Sequence, residues 1–270
     1  MLVMRILNGA ELADFITERQ AKQVRALRQA HKVFPKLAII ICGDSGPSQK
    51  YVALKQQYGQ DILIDVEVHG VAQAEAKGLI EALNQNPEVH GIIVQLPLPN
   101  PEQTDEIISA IAPAKDVDGL TGNGPYDAAT PLAINWLLTG YNIDLRGKNI
   151  VIVGQGRLVG APLKRMLENS DLQPIIVDED TENPADIFAD ADVLITAVGK
   201  AGLITADMIP LDCVVVDAGT TSENGVLKGD LAEDIYTRDD LTVTPTKGGV
   251  GPLTVAALFD NVIRAADATK

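Results

Sequence analysis

Short apolar runs alternate with segments of helical periodicity along the whole 270-residue chain. Residues 37–42 make a run of strand length that stops at Gly43-Asp44-Ser45-Gly46-Pro47, a strong turn signal. Ser48 then stands where it can cap a helix reaching about Gly59. Strand patterns at 62–68 and 91–95 bracket a helical stretch at 72–83. An amphipathic helix carrying Leu12, Phe15, Ile16, Val24 and Leu27 precedes them all. Strands separated by helices are joined by crossovers rather than tight hairpins, and crossovers build a mainly parallel sheet with helices on its faces. The expected fold class is α/β.

The rhythm breaks from Lys115 to Pro131, where four Gly and Pro residues fall between Gly119 and Pro125. It resumes with a strand at 149–153, a helix at 160–169 and strands at 174–177, 193–197, 213–216 and 241–244. Val255, Leu258, Phe259, Val262 and Ile263 recur at helical spacing near the end. Two α/β domains are expected: residues 1–118 and residues 119–270. The second is a Rossmann-like doubly wound parallel sheet, and the closing helix, 254–268, is expected to pack back on the first domain.

Charge and composition narrow the function. The net charge is −15, which disfavours nucleic acid as a partner. Residues 1–118 carry 11 Lys and Arg against 15 Asp and Glu; residues 119–270 carry 11 against 22. The second half thus offers few cations to a phosphate-rich ligand, so backbone amides would have to hold phosphates. No apolar run is long enough to cross a bilayer, and Glu11 and Asp14 closely follow the apolar start, unlike a signal peptide. A soluble cytosolic protein is expected. Cys42 and Cys213 lie in apolar stretches and read as buried thiols, and three scattered histidines give no metal-ligand spacing.

Residues 151–160, Val-Ile-Val-Gly-Gln-Gly-Arg-Leu-Val-Gly, run from an apolar strand through a glycine turn into a helix. Such a turn lets a pyrophosphate approach the backbone, and the helix N-terminus favours its charge. The spacing G-x-G-x-x-x-G is one residue longer than the usual fingerprint, and a merely structural turn is the competing reading. Asp178-Glu179-Asp180 ends the next strand about where a dinucleotide site places an acid on the adenosine ribose. A solvated acidic loop would look the same. If the site is real, these carboxylates repel a 2′-phosphate and favour NAD over NADP.

Tyr51 and Lys55 stand at i and i+4, on one helix face. A partly desolvated Lys beside a Tyr loses its charge more readily, as a proton-transferring group must. Short-chain dehydrogenases use a Tyr-x-x-x-Lys pair downstream of the glycine turn; here the pair precedes it by about a hundred residues. Four segments occur in order: Ser48-Gln49-Lys50-Tyr51-Val52-Ala53-Leu54-Lys55, Gly91-Ile92-Ile93-Val94-Gln95-Leu96-Pro97-Leu98-Pro99, Lys115-Asp116-Val117-Asp118-Gly119 and Gly248-Gly249-Val250-Gly251-Pro252-Leu253-Thr254. Together they resemble the bifunctional methylenetetrahydrofolate dehydrogenase/methenyltetrahydrofolate cyclohydrolase family over nearly the whole chain.

The resemblance implies an NAD(P)-dependent oxidation of 5,10-methylenetetrahydrofolate followed by hydrolysis to 10-formyltetrahydrofolate. It also implies a cleft between the domains, no metal, a homodimer, and a place in one-carbon metabolism and purine biosynthesis. Lys55 would handle protons and polarise water, and Tyr51 would orient the folate. Gln95 would tune Lys55, and Asp118 would bind the pterin. Val52, Val94, Leu96, Gly248, Gly249, Gly251, Pro252 and Thr254 would line the folate pocket. Gly154, Gln155, Gly156, Asp178 and Thr220 would meet the dinucleotide. Lys247 replaces the Pro that often precedes the Gly248 motif, and the stretch from Asp118 to Thr130 is short, so both loops are expected to differ from relatives. A single-activity member and a catalytically silent folate or nucleotide binder are the competing readings.

Overall fold

A computed structural model describes residues 4–43, 46–223 and 226–270. Its strands are β1 (Arg5–Ile6), β2 (Lys36–Cys42), β3 (Asp65–Val71), β4 (Gly91–Val94), β5 (Ile150–Val153), β6 (Ile175–Val177), β7 (Val193–Thr196), β8 (Val214–Asp217), β9 (Thr221–Glu223), β10 (Val226–Lys228) and β11 (Thr242–Val243). The α-helices are α1 (Gly9–Ala26), α2 (Gly46–Ile62), α3 (Ala76–Gln85), α4 (Thr104–Ile108), α5 (Ala129–Gly140), α6 (Gly160–Glu168), α7 (Pro184–Ala189) and α8 (Val250–Asp267). The chain divides into two compact units, Asp14–Ala129 with Val255–Lys270, and Met1–Ala13 with Thr130–Thr254.

The first unit is built on a three-stranded sheet in the order β3-β2-β4, with β2 parallel to both neighbours. Ile39, Ile40, Ile92 and Ile93 are fully buried, as expected for strands covered on both faces. Each such side chain contributes roughly 1.5–3 kcal/mol relative to exposure. The last turns of α8 belong to this unit. Gln20 Nε2 donates to Ala256 O at 2.8 Å, Arg19 pairs with Asp260 at 2.8 Å, and the Tyr58 and Phe259 rings lie 5.0 Å apart.

Three local expectations change. On α1 the buried positions after Gly9 are Ala13, Gln20 and Val24, whereas Phe15 is 66 % exposed, because the inward face is turned away from the Phe15 side. The helix α2 begins at Gly46 and runs on to Ile62, and the capping role expected of Ser48 lies outside the described side chains. Residues 62–64 are helix end rather than strand. Leu63 takes a left-handed φ of 66°, and Ile64 N bonds back to Gly59 O at 2.8 Å, which closes the helix before β3.

The second unit holds a six-stranded, wholly parallel sheet in the order β1-β11-β8-β7-β5-β6. The residues of β5 and β7 are all buried. The short β1, expected in the first domain, joins this sheet beside β11, so the first thirteen residues belong here. The antiparallel hairpin β9–β10 and the helix α5 are further additions to the expected layout. Cys42 and Cys213 are free and buried, and burial pushes the Cys213 thiol up to about 12. Among the described residues no helix is long and apolar enough to cross a membrane, and no group of His, Cys, Asp and Glu is arranged to hold a metal.

Candidate functional site

In the first sheet β2 lies between β3 and β4, so chain connections leave its C-terminal edge in opposite directions at the β2/β4 pair. Open α/β sheets bind ligands outside such a switch point. The residues leading out of this edge are those the sequence singles out. Gln95 directly follows β4 and is anchored by its amide to Ile40 O at 2.9 Å. The helix α2 follows β2 and buries Val52, Gly59 and Ile62. Lys55 falls on that same inward face.

Lys55 Nζ donates to Gln95 Oε1 at 3.0 Å, and Gln95 Nε2 donates to Leu96 O at 3.1 Å, which fixes which end of the amide faces the lysine. Burial pulls the Lys55 pKa below its ordinary value, while the nearby Asp118 carboxylate opposes that fall. Asp118 is raised by its own burial; Lys55 lowers it and Asp116 adds to the rise. The pair is thus two groups whose charges burial disfavours and mutual attraction sustains. Tyr51 stands one turn before Lys55, 36 % exposed, with its hydroxyl pKa raised by burial. Val52 and Val94 are buried, and Leu96 is half-buried.

The loop carrying Asp118 is held residue by residue. Lys115 Nζ donates to Leu83 O and Asn86 O at 2.8 and 2.7 Å, tying the loop to the end of α3. Asp116 is buried, and its carboxylate accepts from Gly119 N, Thr121 N and Thr121 Oγ1 at 3.1, 2.9 and 2.6 Å. Fully buried Asn261 on α8 donates to both Val117 O and Asp127 O at 2.9 Å. Gly119 has φ +68°, and a Cβ there would stand 2.6 Å from Ala128 N. Lys115 and Asp116 thus shape the loop that presents Asp118.

In the second unit, β5 has β6 on one side and β7 on the other, so its C-terminal end is the switch point of that sheet. The glycine turn sits there. Gly154 has φ +95°, and its amide bonds Val177 O at 2.8 Å. Gly160, the first residue of α6, lies so close to the turn that a Cβ would stand 1.9 Å from Gly154 O. Gly156 has room, with Ala197 O at 3.9 Å the nearest atom to such a Cβ. Gln155 Nε2 donates to Asp178 Oδ2 at 3.0 Å across the ends of β5 and β6. Hydrogen bonds from Thr181 and Gln155 hold Asp178 below the usual carboxylate range, and Glu179 and Asp180 are exposed beside it. A backbone pressed close to a helix N-terminus, with an exposed acid at the next strand end, fits a dinucleotide. Thr220 is exposed after β8, its carbonyl 3.2 Å from where a Gly199 Cβ would be.

Gly248 (φ +82°) and Gly249 precede α8, and Gly251, Pro252 and Thr254 lie in its first turns, all within the second unit. Gly248 O accepts from Ala10 N at 2.9 Å, and Lys247 is exposed just ahead. The structure therefore groups Tyr51, Lys55, Gln95 and Asp118 in one unit, and Gly154, Gln155, Gly156 and Asp178 in the other.

Sequence comparison matches residues 7–118 to the catalytic domain of tetrahydrofolate dehydrogenase/cyclohydrolase and residues 128–270 to its NAD(P)-binding domain. The chain belongs to the tetrahydrofolate dehydrogenase/cyclohydrolase family. It is 40 % identical to the bifunctional protein FolD of Amoebophilus asiaticus over 286 residues, covering 97 % of this chain and 96 % of that one. The crystal structure of the bifunctional FolD enzyme from Campylobacter jejuni is similar at TM-score 0.93 and 33 % identity, over 99 % of this chain and all of that one. The Trypanosoma brucei enzyme, solved with NADP and an inhibitor, is similar at TM-score 0.92 and 28 % identity, over 100 % and 99 % of the two chains.

In this tetrahydrofolate dehydrogenase/cyclohydrolase two further aspartates escape a sequence reading. Asp230 is fully buried, and burial pushes Asp217 up to about 6 against the donors around it. The signal they leave is faint: an acid closing the apolar strand β8, and a Gly within two residues of each, Gly219 and Gly229. A Cβ on Gly219 would stand 2.1 Å from the Asp230 carboxyl, and one on Gly229 2.0 Å from that of Asp217.

Proposed function

We propose that the chain oxidises 5,10-methylenetetrahydrofolate to the 5,10-methenyl form with NAD(P)+ and hydrolyses that product to 10-formyltetrahydrofolate. The observation that carries the reading is the desolvated Lys55 amine held at 3.0 Å by Gln95, with the Asp118 carboxylate nearby. When bound, NAD(P)+ takes up the hydride leaving the bridge carbon. Hydrolysis then adds water to that carbon. Lys55, short of a proton more often than an exposed lysine, accepts one from the attacking water as the C–O bond forms. The C–N5 bond breaks as the carbonyl forms, N5 takes up one proton, and the other is released. By accepting one Lys55 N–H, Gln95 Oε1 fixes how the amine is turned and leaves its lone pair free to take the water proton. Asp118 offers two acceptor oxygens to the N–H edge of the pterin, and Tyr51 packs on the ring. Val52, Val94 and Leu96 supply the remaining walls on the Lys55 side.

The cofactor preference follows from charge. Asp178 is exposed and ionised, and Glu179 and Asp180 add to the negative field where a 2′-phosphate would sit. Gln155 is occupied with Asp178 and carries no charge. Two like charges a few ångströms apart cost about 1 kcal/mol or more even when well solvated. NAD is therefore the preferred cofactor, and the chain works as a cytoplasmic homodimer. Assayed with methylenetetrahydrofolate, kcat/KM should be about tenfold or more higher with NAD+ than with NADP+. Equal or better turnover with NADP+ overturns the preference. Failure to form or to hydrolyse the methenyl compound, with each step followed separately, reduces the chain to a single-activity enzyme.

A further inference from the structure

We infer that Asp230 and Asp217 are positioning residues for the nicotinamide end of the dinucleotide, acting through the backbone of residues 197–200 and 218–220. The inference rests on the dehydrogenase activity proposed above. Strand order supplies the first step. Asp178 ends β6, the glycine turn leaves β5, and β7 and β8 lie on the other side of β5 from β6. With the adenosine ribose at β6 and the pyrophosphate at β5, the remaining end of the molecule reaches the C-terminal ends of β7 and β8.

Those two ends are organised by carboxylates rather than left to solvent. Asp230 accepts from three consecutive amides, Val198, Gly199 and Lys200, at 2.8, 2.8 and 2.7 Å, and from Thr196 Oγ1 at 2.6 Å. Asp217 accepts from the amides of Gly219, Asp230 and Leu231 at 2.9, 3.1 and 3.1 Å. The two sets interlock, because Asp217 fixes the backbone amide of the residue whose side chain fixes residues 198–200. Successive N–H groups turned to one side form a concavity that binds anions. At this sheet edge such a nest would take a ligand phosphate, but an internal carboxylate already fills it. Phosphates are thereby confined to the glycine turn. The segment also brings carbonyls close to its glycines: Ala197 O stands 3.1 Å from where a Gly154 Cβ would be, and Thr220 O 3.2 Å from a Gly199 Cβ. Carbonyl acceptors suit the N–H groups of a carboxamide and repel phosphate.

The test compares wild type with Asp230→Asn by calorimetric titration with NAD+, alongside separate dehydrogenase and cyclohydrolase assays. An asparagine amide cannot accept from all four donors, so residues 198–200 lose their fixed arrangement. The Kd for NAD+ is expected to rise, and dehydrogenase kcat/KM for NAD+ to fall, by about tenfold or more. The cyclohydrolase rate, which needs no dinucleotide, should stay within about twofold. An unchanged Kd, or parallel loss of both activities, overturns the inference. Should Asp230→Asn fail to fold, Thr196→Val removes one donor with little change of shape. A Kd raised about threefold or more with hydrolysis intact then supports the inference, and an unchanged Kd overturns it. A wild type silent in both assays refutes the proposed function instead, and the Kd comparison then decides the role of Asp230.

Discussion

Replacing Lys55 with Met should lower cyclohydrolase turnover by roughly 10²- to 10⁴-fold, the usual worth of a positioned proton-transfer group. Dehydrogenase turnover should fall far less, since hydride departure needs no proton accepted from water. Methionine is unbranched like lysine, one heavy atom shorter and apolar, so the half-buried position on α2 tolerates it sterically. What disappears is the amine that Gln95 Oε1 holds at 3.0 Å. Following the decay of the methenyl chromophore in wild type and variant measures the effect directly. Equal hydrolysis by the two proteins would remove Lys55 from the reaction.

Gly160→Ala should have the opposite selectivity. Its Cβ would meet Gly154 O at 1.9 Å, Gly154 C at 2.8 Å and Gln155 Cα at 3.1 Å, all backbone atoms that no rotamer change can move aside. The turn and α6 must separate, at a cost of about 1–3 kcal/mol or more in stability. A displacement of about 1 Å in the groups that hold the cofactor can cost on the order of a hundredfold in rate. Dehydrogenase activity should therefore collapse while hydrolysis persists. Gly156→Ala is the control for the fold alone, because its Cβ would have no protein neighbour nearer than 3.9 Å, so its stability should match wild type. Wild-type dehydrogenase activity in Gly160→Ala would show that this turn does not cradle the dinucleotide.

Much of the fold and the site is legible in the sequence where the signal is local. The strands β2, β4, β5 and β7 are continuous apolar runs, and a lysine on the buried face of α2 stands out one turn after Tyr51. The helix α5 escapes a sequence reading because it is apolar on most sides, with Ala133, Ile134, Leu137 and Leu138 buried, and shows no polar stripe to betray its period. Two-residue β1 pairs with β11, more than two hundred residues away, and no local pattern announces that contact. The face of α1 is misleading because Gln20, a polar residue, lies at its buried centre and bonds Ala256 O, while Phe15 points outward. Asp217, Asp230 and Asn261 are polar groups whose burial depends on donors and acceptors brought from distant segments. Composition alone assigns such residues to the surface.

The family membership and the fold leave one physical claim central: Lys55 serves as the proton acceptor because burial lowers its pKa and Asp118 limits that fall. The sign is fixed. Hydrolysis requires neutral Lys55, so its rate rises with pH through the Lys55 pKa, which lies below the ordinary 10.5. Removing the Asp118 charge withdraws the carboxylate whose attraction favours the protonated amine. The deciding measurement is the pH dependence of cyclohydrolase kcat, at saturating folate, in wild type and Asp118→Asn. The account predicts an acid limb that moves to lower pH in the variant. A limb that stays in place, or moves to higher pH, would contradict it.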